Sequence, residues 1–303
     1  MRVTCLINHY NYGEFVGEAL ASVVGQTRAL DEVILVDDGS QEPHLAQVRA
    51  AVAGLPGVRL IEKPNEGQLS CFQVGLEAST GDVVFFLDAD DRWRPGYVEA
   101  VLALLERRPD IGFVATNNTD FFTDGTARVE ARASRDLGYS VVLCLARGGA
   151  WIGAPTSCLA MRREVLEQIF PVPNPRAWRV CADEALVYGS SMVGARKYFL
   201  GEPLVEYRVH DNNRFFGRKD SPERAYSRRI EGRRLTEHLR LRLSLPATLA
   251  DLAHYEFRTL EAPTREDYRR YQSSVLSASI PLRRKLRVLF ALFRAYHFGR
   301  NQR

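Results

Sequence analysis

The sequence predicts an α/β fold built on a mostly parallel sheet with helices against both faces. Four short apolar runs in the first third are rich in β-branched residues, for example VILV at 33–36 and VVFFL at 83–87. Stretches of about 10–15 residues with helical spacing separate these runs, and this alternation favours a parallel, doubly covered sheet. Polar or acidic clusters directly follow three of the runs, which is where such sheets bind ligands.

The elements can be predicted in chain order from the same periodicities. The strands of the first third are expected at 3–7, 33–36, 58–61 and 83–87, with helices at about 15–23, 45–52 and 69–78 between them. A helix then begins at Pro95 and runs to about Arg107, a strand follows at 111–116, and a helix at 162–169 stops at a proline-rich segment. The Gly/Pro-punctuated stretch at 151–157 is expected to be a loop, and beyond Ser221 the chain becomes helical and arginine-rich.

Composition and cysteine usage exclude several classes of protein. The chain has 303 residues, of which 46% are hydrophobic and 26% charged, as is ordinary for a globular protein. No apolar run approaches the roughly 18–20 residues of a membrane span, and the N-terminus lacks a signal-peptide pattern. The five cysteines are scattered and form no Cys-x-x-Cys pair, so neither a disulfide framework nor a zinc site is expected. A reducing cytoplasm is the expected location.

The fourth strand runs into three carboxylates, Asp88, Asp90 and Asp91, in the stretch VVFFLDADDRW. Crowded carboxylates repel one another, and a hard divalent cation makes such an arrangement stable. Mg²⁺ or Mn²⁺ prefers these oxygen ligands and takes its remaining ligands from substrate phosphates and water, so a nucleotide diphosphate is the natural second component. Surface loops also produce Asp-x-Asp by chance, and the motif alone leaves both interpretations open.

The second strand ends in Asp37-Asp38-Gly39-Ser40. Aspartate and glycine form turns readily, so a simple turn explains the motif. The alternative is that one of the carboxylates accepts hydrogen bonds from a nucleoside bound at the same sheet edge. The polar segment NHYN after the first strand would lie at that edge too, which predicts a single acidic and polar cleft.

Five motifs in order make the chain resemble family 2 glycosyltransferases. They are INHYNYGEFVGEALASVVGQT, EVILVDDGS, NEGQLSCFQVGLEASTGDVVFFLDADDRW, APTSCLAMRREVL and VEYRVHDNN, which together cover about residues 2–215. The resemblance implies the GT-A fold, a doubly covered mixed sheet, here with a helical C-terminal extension. It implies a domain at 1–217, with a nucleotide-binding half at about 1–115 and an acceptor and catalytic half at about 116–217. A basic helical extension would occupy 218–303.

The resemblance also implies roles for individual residues. Tyr10, Asp37 and Asp38 would hold the base and ribose of a nucleotide-diphosphate-sugar donor, and Gln68 would lie near that donor. Asp88 and Asp90 would serve the ribose and the metal, Mg²⁺ or Mn²⁺, although Asp91 could exchange roles with Asp90. His210 would either ligate the metal or touch the diphosphate.

Inverting sugar transfer needs a base to take the proton of the acceptor hydroxyl, and a carboxylate suits this task. In the family the base is typically an Asp that follows a Glu just before an apolar helix. Here the segment is Ala182-Asp183-Glu184-Ala185-Leu186, so Asp183 matches that Asp. The preceding position is Ala and a Glu follows instead, which leaves Glu184 as a rival base. The implied acceptor is a hydroxyl of a glycan, polysaccharide or lipid-linked saccharide.

Other functions compete with this interpretation. A haloacid-dehalogenase-like phosphatase also has a strand that ends in Asp-x-Asp, but its nucleophile lies on the first strand, and here Asp88 ends the fourth. A phosphate-receiver module would account for VDDGS but not for DADD or YRVHDNN. A catalytically inactive, transferase-like binding protein stays open, and only an assay separates it from an enzyme. No nucleic-acid partner is expected.

The C-terminal part carries the positive charge of the chain. From Arg218 onward there are about 20 Lys/Arg against about 9 Asp/Glu, which points to an anionic surface as partner. In the last helix Leu282, Leu286, Leu289, Phe293 and Tyr296 follow helical spacing, and Arg283, Arg287 and Arg294 cluster on another face. Such a helix lies at the inner face of an anionic membrane or packs against the body or a second subunit. The sequence leaves these alternatives open.

Overall fold

A computed structural model gives the fold and describes residues 1–148, 154–210, 213 and 221–299. Within these residues, ten strands form one mixed sheet. They are β1 Val3–His9, β2 Glu32–Asp37, β3 Val58–Glu62, β4 Val83–Asp88, β5 Arg92–Trp93, β6 Ile111–Phe122, β7 Ala127–Val129, β8 Arg135–Gly138, β9 Leu159–Arg162 and β10 Arg196–Val209. The predicted loop at 151–157 lies partly outside the described residues.

The helices of the described chain alternate with the strands at first and then follow one another. They are α1 Gly13–Val24, α2 His44–Ala53, α3 Gln68–Glu77, α4 Tyr97–Arg107, α5 Val141–Arg147, α6 Arg163–Ile169, α7 Ala182–Met192, α8 Pro222–Arg242, α9 Ala253–Phe257, α10 Arg265–Ser277 and α11 Leu282–Phe298. Across the described residues, no helix combines the length and the apolar character that a membrane crossing requires.

The sheet is parallel where the sequence alternates and mixed beyond that region. Its main path runs β3-β2-β1-β4-β9-β6-β10-β5, with β9 antiparallel to both β4 and β6. Successive residues of a strand point to opposite faces, and the first five residues of β1 are all buried, so both faces of the sheet are covered. The predicted doubly covered α/β sheet is confirmed.

The register of the central strands brings the polar clusters together. β1 pairs in parallel with both β2 and β4, so that Asn8 lies opposite Asp88 and His9 lies opposite Asp37. The predicted convergence of NHYN, DDGS and DADD on one edge of the sheet is therefore confirmed. The strand predicted at 111–116 is longer than expected, because β6 continues six residues past 116 and carries TNNTDFF to the same edge. The strands β5 and β7 to β10 were not predicted from the sequence.

The C-terminal helices pack on the sheet domain through two contacts. Leu235 and Leu239 of α8 belong to the main core, whereas α9, α10 and α11 build a second core with α5. The buried Glu256 carboxylate ties that second core together, because it accepts hydrogen bonds from the Val142 and Leu143 N–H groups at 2.8 and 3.3 Å. Division of the chain at 217/218 stays a prediction.

Candidate active site

A cavity of about 890 Å³ opens at the edge of the sheet where β1, β2 and β4 end. It collects side chains from the strand ends, from the N-termini of α3 and α7, and from α8. Seven of the predicted site residues line it, namely Tyr10, Asp38, Gln68, Asp88, Asp90, Asp183 and Glu184. Asp37 and His210 lie behind the lining, in contact with residues that form it.

The carboxylates that end β4 form a compact acidic cluster. Ligand atoms of Asp88, Asp90 and Asp91 all lie within 4.8 Å of one another. Burial, and then the carboxylates of Asp90 and Asp183, raise the pKa of Asp88 to about 7. Burial and its two aspartate neighbours likewise raise the pKa of Asp91 well above its ordinary value. A positive charge bound beside these carboxylates would stabilise their ionised form.

The hydrogen bonds of Asp91 distinguish it from the other two carboxylates. One oxygen accepts the Ser157 hydroxyl at 2.6 Å, and the other accepts the Arg208 backbone N–H at 2.8 Å. Asp91 is almost fully buried and does not line the cavity. It ties the turn after β4 to the turn before β9 and to β10, and this leaves Asp88 and Asp90 as the two carboxylates of the cluster that face the cavity.

His210 lies beside the acidic cluster at the end of β10. Its Nε2 is 3.1 Å from Asp90 Oδ2, and its ring packs edge-on to Tyr12 with ring centroids 5.6 Å apart. The side chain of Asn213 positions this segment, because its Oδ1 accepts the His210 N–H at 2.5 Å. His210 is thus placed beside a carboxylate that the sequence predicts as a metal ligand.

The residues at this corner fit a hard divalent cation. Carboxylate and amide oxygens with one imidazole are the donors that Mg²⁺ or Mn²⁺ accepts. Asn8, opposite Asp88 on β1, adds a buried side-chain Oδ1 for which the described residues offer no hydrogen-bond partner. A buried polar atom without a partner costs free energy unless a ligand, ion or water satisfies it.

The two aspartates of DDGS have different surroundings. Asp37 Oδ1 lies 2.7 Å from Nδ1 of the buried His9, and Asp37 Oδ2 accepts the Ser40 N–H. Burial acts to raise the pKa of Asp37, but the hydrogen bonds from His9 and Ser40 outweigh it and lower that pKa. Asp37 therefore reaches the cavity only through His9, which lines it.

Asp38 faces the cavity and organises the loop before α3. Its carboxylate accepts hydrogen bonds from Lys63 Nζ at 2.7 Å, from Glu66 N–H at 2.9 Å and from Gly67 N–H at 2.7 Å. This set of donors compensates the buried charge of Asp38. The loop at 65–67 is thereby fixed as one wall of the site.

Gly67 is expected to tolerate no side chain. It has φ +99°, and a Cβ added there would lie 2.4 Å from the Arg179 Cα. We expect Gly67→Ala to lower the free energy of unfolding by at least about 1–3 kcal/mol. The backbone conformation alone costs that much for a residue other than glycine, and the contact with Arg179 adds to it. Urea denaturation measures the change. Gly17→Ala is the control, because nothing lies within 4 Å of its added Cβ. Equal stability of the two variants would contradict the prediction.

Gln68 connects the acidic cluster to the helix that carries the predicted base. Its Nε2 donates to Asp88 Oδ1 at 2.7 Å, and its Oε1 accepts the Ala182 N–H at 3.1 Å. Ala182 is the first residue of α7, so Gln68 also satisfies one of the unpaired N–H groups at that helix start. One amide side chain thus sets the separation between Asp88 and the start of α7.

Asp183 and Glu184 both lie in the first turn of α7 but have different partners. Asp183 Oδ1 accepts the N–H of Glu184 at 2.9 Å, and burial raises the pKa of Asp183 to about 7. The Glu184 carboxylate instead forms an ion pair with Arg228 of α8, with Nη2 and Oε1 2.8 Å apart. The sequence left the choice between these two carboxylates open, and the structure gives them unequal surroundings.

Several residues of the cavity wall were not predicted from the sequence. Asn118 and Asp120 reach it because β6 is longer than expected, and TNNTDFF has no alternation of polar and apolar residues to indicate that extension. Arg228 comes from α8, more than 40 positions beyond Asp183, and no local pattern indicates its place. Arg179, Tyr188 and Tyr207 also line the cavity.

Comparison with known proteins identifies the family. The family model described as Glycosyl transferase family 2 matches residues 4–170, more than half of the chain. The chain belongs to glycosyl transferase family 2. This match includes the three strand-end motifs, of which DADD is one, and the resemblance seen in the sequence is confirmed.

A relative agrees with this assignment, and two solved structures share the fold. An uncharacterized glycosyltransferase of Nostoc sp. is 35% identical over 218 residues, which are 70% of this chain and 66% of that protein. The crystal structure of S. aureus TarS 1-349 in complex with UDP-GlcNAc has a TM-score of 0.59 at 15% identity, covering 100% of this chain and 74% of that one. GalNAc-T7 with UDP, GalNAc and Mn²⁺ has a TM-score of 0.55 at 16% identity, covering 69% of this chain and 44% of that one.

These likenesses support two statements about the transferase. Its fold is of the GT-A type, a mixed sheet followed by C-terminal helices, as the sequence predicted. Its family is that of the glycosyl transferases, a description that the Nostoc relative shares. The matched region spans 66% of the length of the Nostoc relative and 37% or less of the next curated relatives.

Proposed function

We propose that the protein is an inverting, divalent-cation-dependent glycosyltransferase that moves a sugar from a nucleotide-diphosphate donor to a hydroxyl acceptor. One observation carries the proposal: the acidic cluster and Asp183 face the same cavity and are joined through Gln68. The related structures with UDP-GlcNAc and with UDP, GalNAc and Mn²⁺ support a nucleotide diphosphate and a divalent cation. Nucleoside diphosphate released from a panel of nucleotide sugars, with acceptor and Mn²⁺, tests it.

The donor is proposed to bind along the strand ends. Tyr10 and Asp38 would hold the base and ribose, with Asp37 acting through His9, and Asp88 would hold the ribose. Asp88 and Asp90, with His210 beside Asp90, would hold Mg²⁺ or Mn²⁺. When bound, the cation neutralises charge that develops on the departing diphosphate. Gln68 would keep Asp88 at its distance from α7.

Proton transfer is assigned to Asp183. Its carboxylate would accept the proton of the acceptor hydroxyl while that oxygen forms a bond to the anomeric carbon. The bond from the same carbon to the diphosphate oxygen breaks on the opposite side, so a single displacement inverts the anomeric configuration. Glu184 would stay paired with Arg228 and shape the acceptor side of the cavity. The released products are the glycosylated acceptor and the nucleoside diphosphate.

The acceptor is proposed to be a saccharide or a lipid-linked saccharide. The wall that includes Asn118, Asp120, Tyr188 and Tyr207 offers amide, carboxylate and aromatic groups, which suit sugar hydroxyls and ring faces. This wall comes from residues beyond 116, in agreement with the proposed division into a nucleotide half and an acceptor half. A cytoplasmic setting, where nucleotide sugars would be the donors, remains part of the proposal.

The pH dependence of the reaction is expected to report Asp183. Burial raises its pKa to about 7 despite the nearby Arg228 guanidinium, while Glu184 adds to the increase. Because the base must be ionised, kcat/KM should rise with pH to a plateau above about 8 and fall tenfold per pH unit below the pKa. The residual rate of Asp183→Asn should lack this limb. A wild-type kcat/KM that falls only below about pH 4 would contradict the assignment of Asp183 as the base.

The rival base is tested by removing the ion pair of Glu184. We expect Glu184→Gln and Arg228→Gln each to lower kcat/KM by less than about tenfold, well below the 10²–10⁴-fold of a lost general base. The double variant should lose no more than either single one, because each substitution removes the same pair. Steady-state kinetics measures these rates. If the Glu184→Gln enzyme were as inactive as Asp183→Asn, Glu184 would be the base.

A further inference from the structure

The last helix presents two different faces. Val288 and Leu292 of α11 are buried in the second core. The stripe predicted from the sequence is split by this packing, because Leu289 and Tyr296 lie against that core while other members point to solvent. On the outward face, Leu282 is 70% exposed, Leu286 59%, Phe290 63% and Phe293 42%. At 100° per residue these four side chains fall within one sector of about 80°.

A basic strip runs alongside the exposed apolar sector. Arg283, Arg287 and Arg294 are all exposed and fall within the next 40° or so of the helix. The helix contains no Asp or Glu. Within the part of the chain that the structure describes, none of these three arginines forms an ion pair. The outward face therefore carries large apolar side chains beside cations that have no counter-charge on their own helix.

We propose that this outward face binds the surface of an anionic lipid bilayer. Leu286, Phe290 and Phe293 would enter the boundary between headgroups and acyl chains, and Arg283, Arg287 and Arg294 would contact the lipid phosphates. A helix of this kind lies in the plane of the interface with its apolar side inward. Charge favours this occupant over a second copy, because α11 carries no Asp or Glu to pair with a partner's arginines and an antiparallel two-fold contact would place the arginine strips of the two copies side by side.

Vesicle sedimentation with the full chain tests the proposal without requiring catalysis. We expect the protein to bind vesicles made of phosphatidylcholine and about a third phosphatidylglycerol. Its binding to vesicles of phosphatidylcholine alone should be much weaker. Arg283→Gln/Arg287→Gln should weaken binding about 30-fold, the effect of two basic residues at such a surface. Phe290→Ser/Phe293→Ser should also reduce binding, and that loss should persist in high salt.

A charge-matched control separates the helix from the net charge of the protein. Arg107→Gln/Arg128→Gln removes two exposed arginines from other elements and should leave vesicle binding within about twofold of the wild type. Equal loss in both arginine doubles would overturn the proposal, as would no binding to anionic vesicles. The proposal would also be overturned if light scattering showed a dimer that Phe290→Ser/Phe293→Ser converts to a monomer, and if the protein did not bind vesicles. The outward face of α11 would then contact a second copy of the chain.

Discussion

Replacing Asp183 by asparagine is expected to abolish transfer while leaving donor binding intact. The substitution keeps the size and the hydrogen-bond acceptor of the side chain, so the contact with the N–H of Glu184 can persist. It removes the ability to accept a proton from the acceptor hydroxyl, and a positioned general base contributes about 10²–10⁴-fold to a rate. We therefore expect kcat to fall by about that factor with Kd for the nucleotide diphosphate unchanged. Product formation and calorimetric titration measure the two quantities.

The neighbouring carboxylate provides the control for this prediction. Glu184→Gln alters the same turn of α7 and also removes one negative charge, so it reproduces the electrostatic change without touching the proposed base. If Asp183→Asn retained more than about a tenth of the wild-type rate, proton transfer would not depend on Asp183. If both donor affinity and rate were lost, Asp183 would act in donor binding instead.

Replacing Asp90 by alanine is expected to remove cation-dependent donor binding. Asp90 faces the cavity, lies within the cluster with Asp88 and contacts His210, whereas Asp91 is held by Ser157 and Arg208. Loss of an outer partner of a metal ligand already costs about 10–100-fold in affinity, so loss of a direct ligand should cost at least about 100-fold. Calorimetric titration of the nucleotide diphosphate with and without Mn²⁺ measures the effect.

Two further titrations make this result specific. Without Mn²⁺, wild type and Asp90→Ala should bind the nucleotide equally weakly, because the substitution acts through the cation. Asp124→Ala changes an exposed aspartate in the turn between β6 and β7 and should match the wild type in both conditions. Unchanged affinity of Asp90→Ala in the presence of Mn²⁺ would remove Asp90 from the proposed metal ligands.

The first half of the fold could be predicted because its signals are local. Apolar runs such as VVFFL are buried on both faces, and the parallel order of β1, β2 and β4 follows from their helical connections. The end of β6 could not be placed, since Asn118 and Asp120 in its second half are polar residues that line a cavity instead of packing in a core. Which apolar residues of α11 are buried depends on the face against which α9 and α10 pack. Sequence periodicity does not indicate that face.

The candidate site shows the same limit at the level of single residues. Asp38, Asp88 and Asp90 could be predicted because each directly follows a strand, and strand ends converge. The functions of Asp37 and Asp91 could not be separated from those of their neighbours, because their burial depends on His9 and Ser157 from distant positions. Arg228 was not predicted because its partner Glu184 lies 44 residues earlier in the sequence, on a different helix. These contacts belong to tertiary structure and leave no trace in local sequence.

Thermal unfolding with a panel of nucleoside diphosphates tests whether the end of β4 forms a cation-dependent donor site. A ligand that binds only the native state at 100 times its Kd stabilises it by about 2.7 kcal/mol, which raises Tm by several degrees. We predict that at least one nucleoside diphosphate raises Tm in this way with Mn²⁺ but not with a chelator, and that Asp90→Ala loses the shift. A Tm unaffected by every nucleoside diphosphate in Mn²⁺, or an equal shift in the chelator, would contradict a cation-dependent donor site at the end of β4.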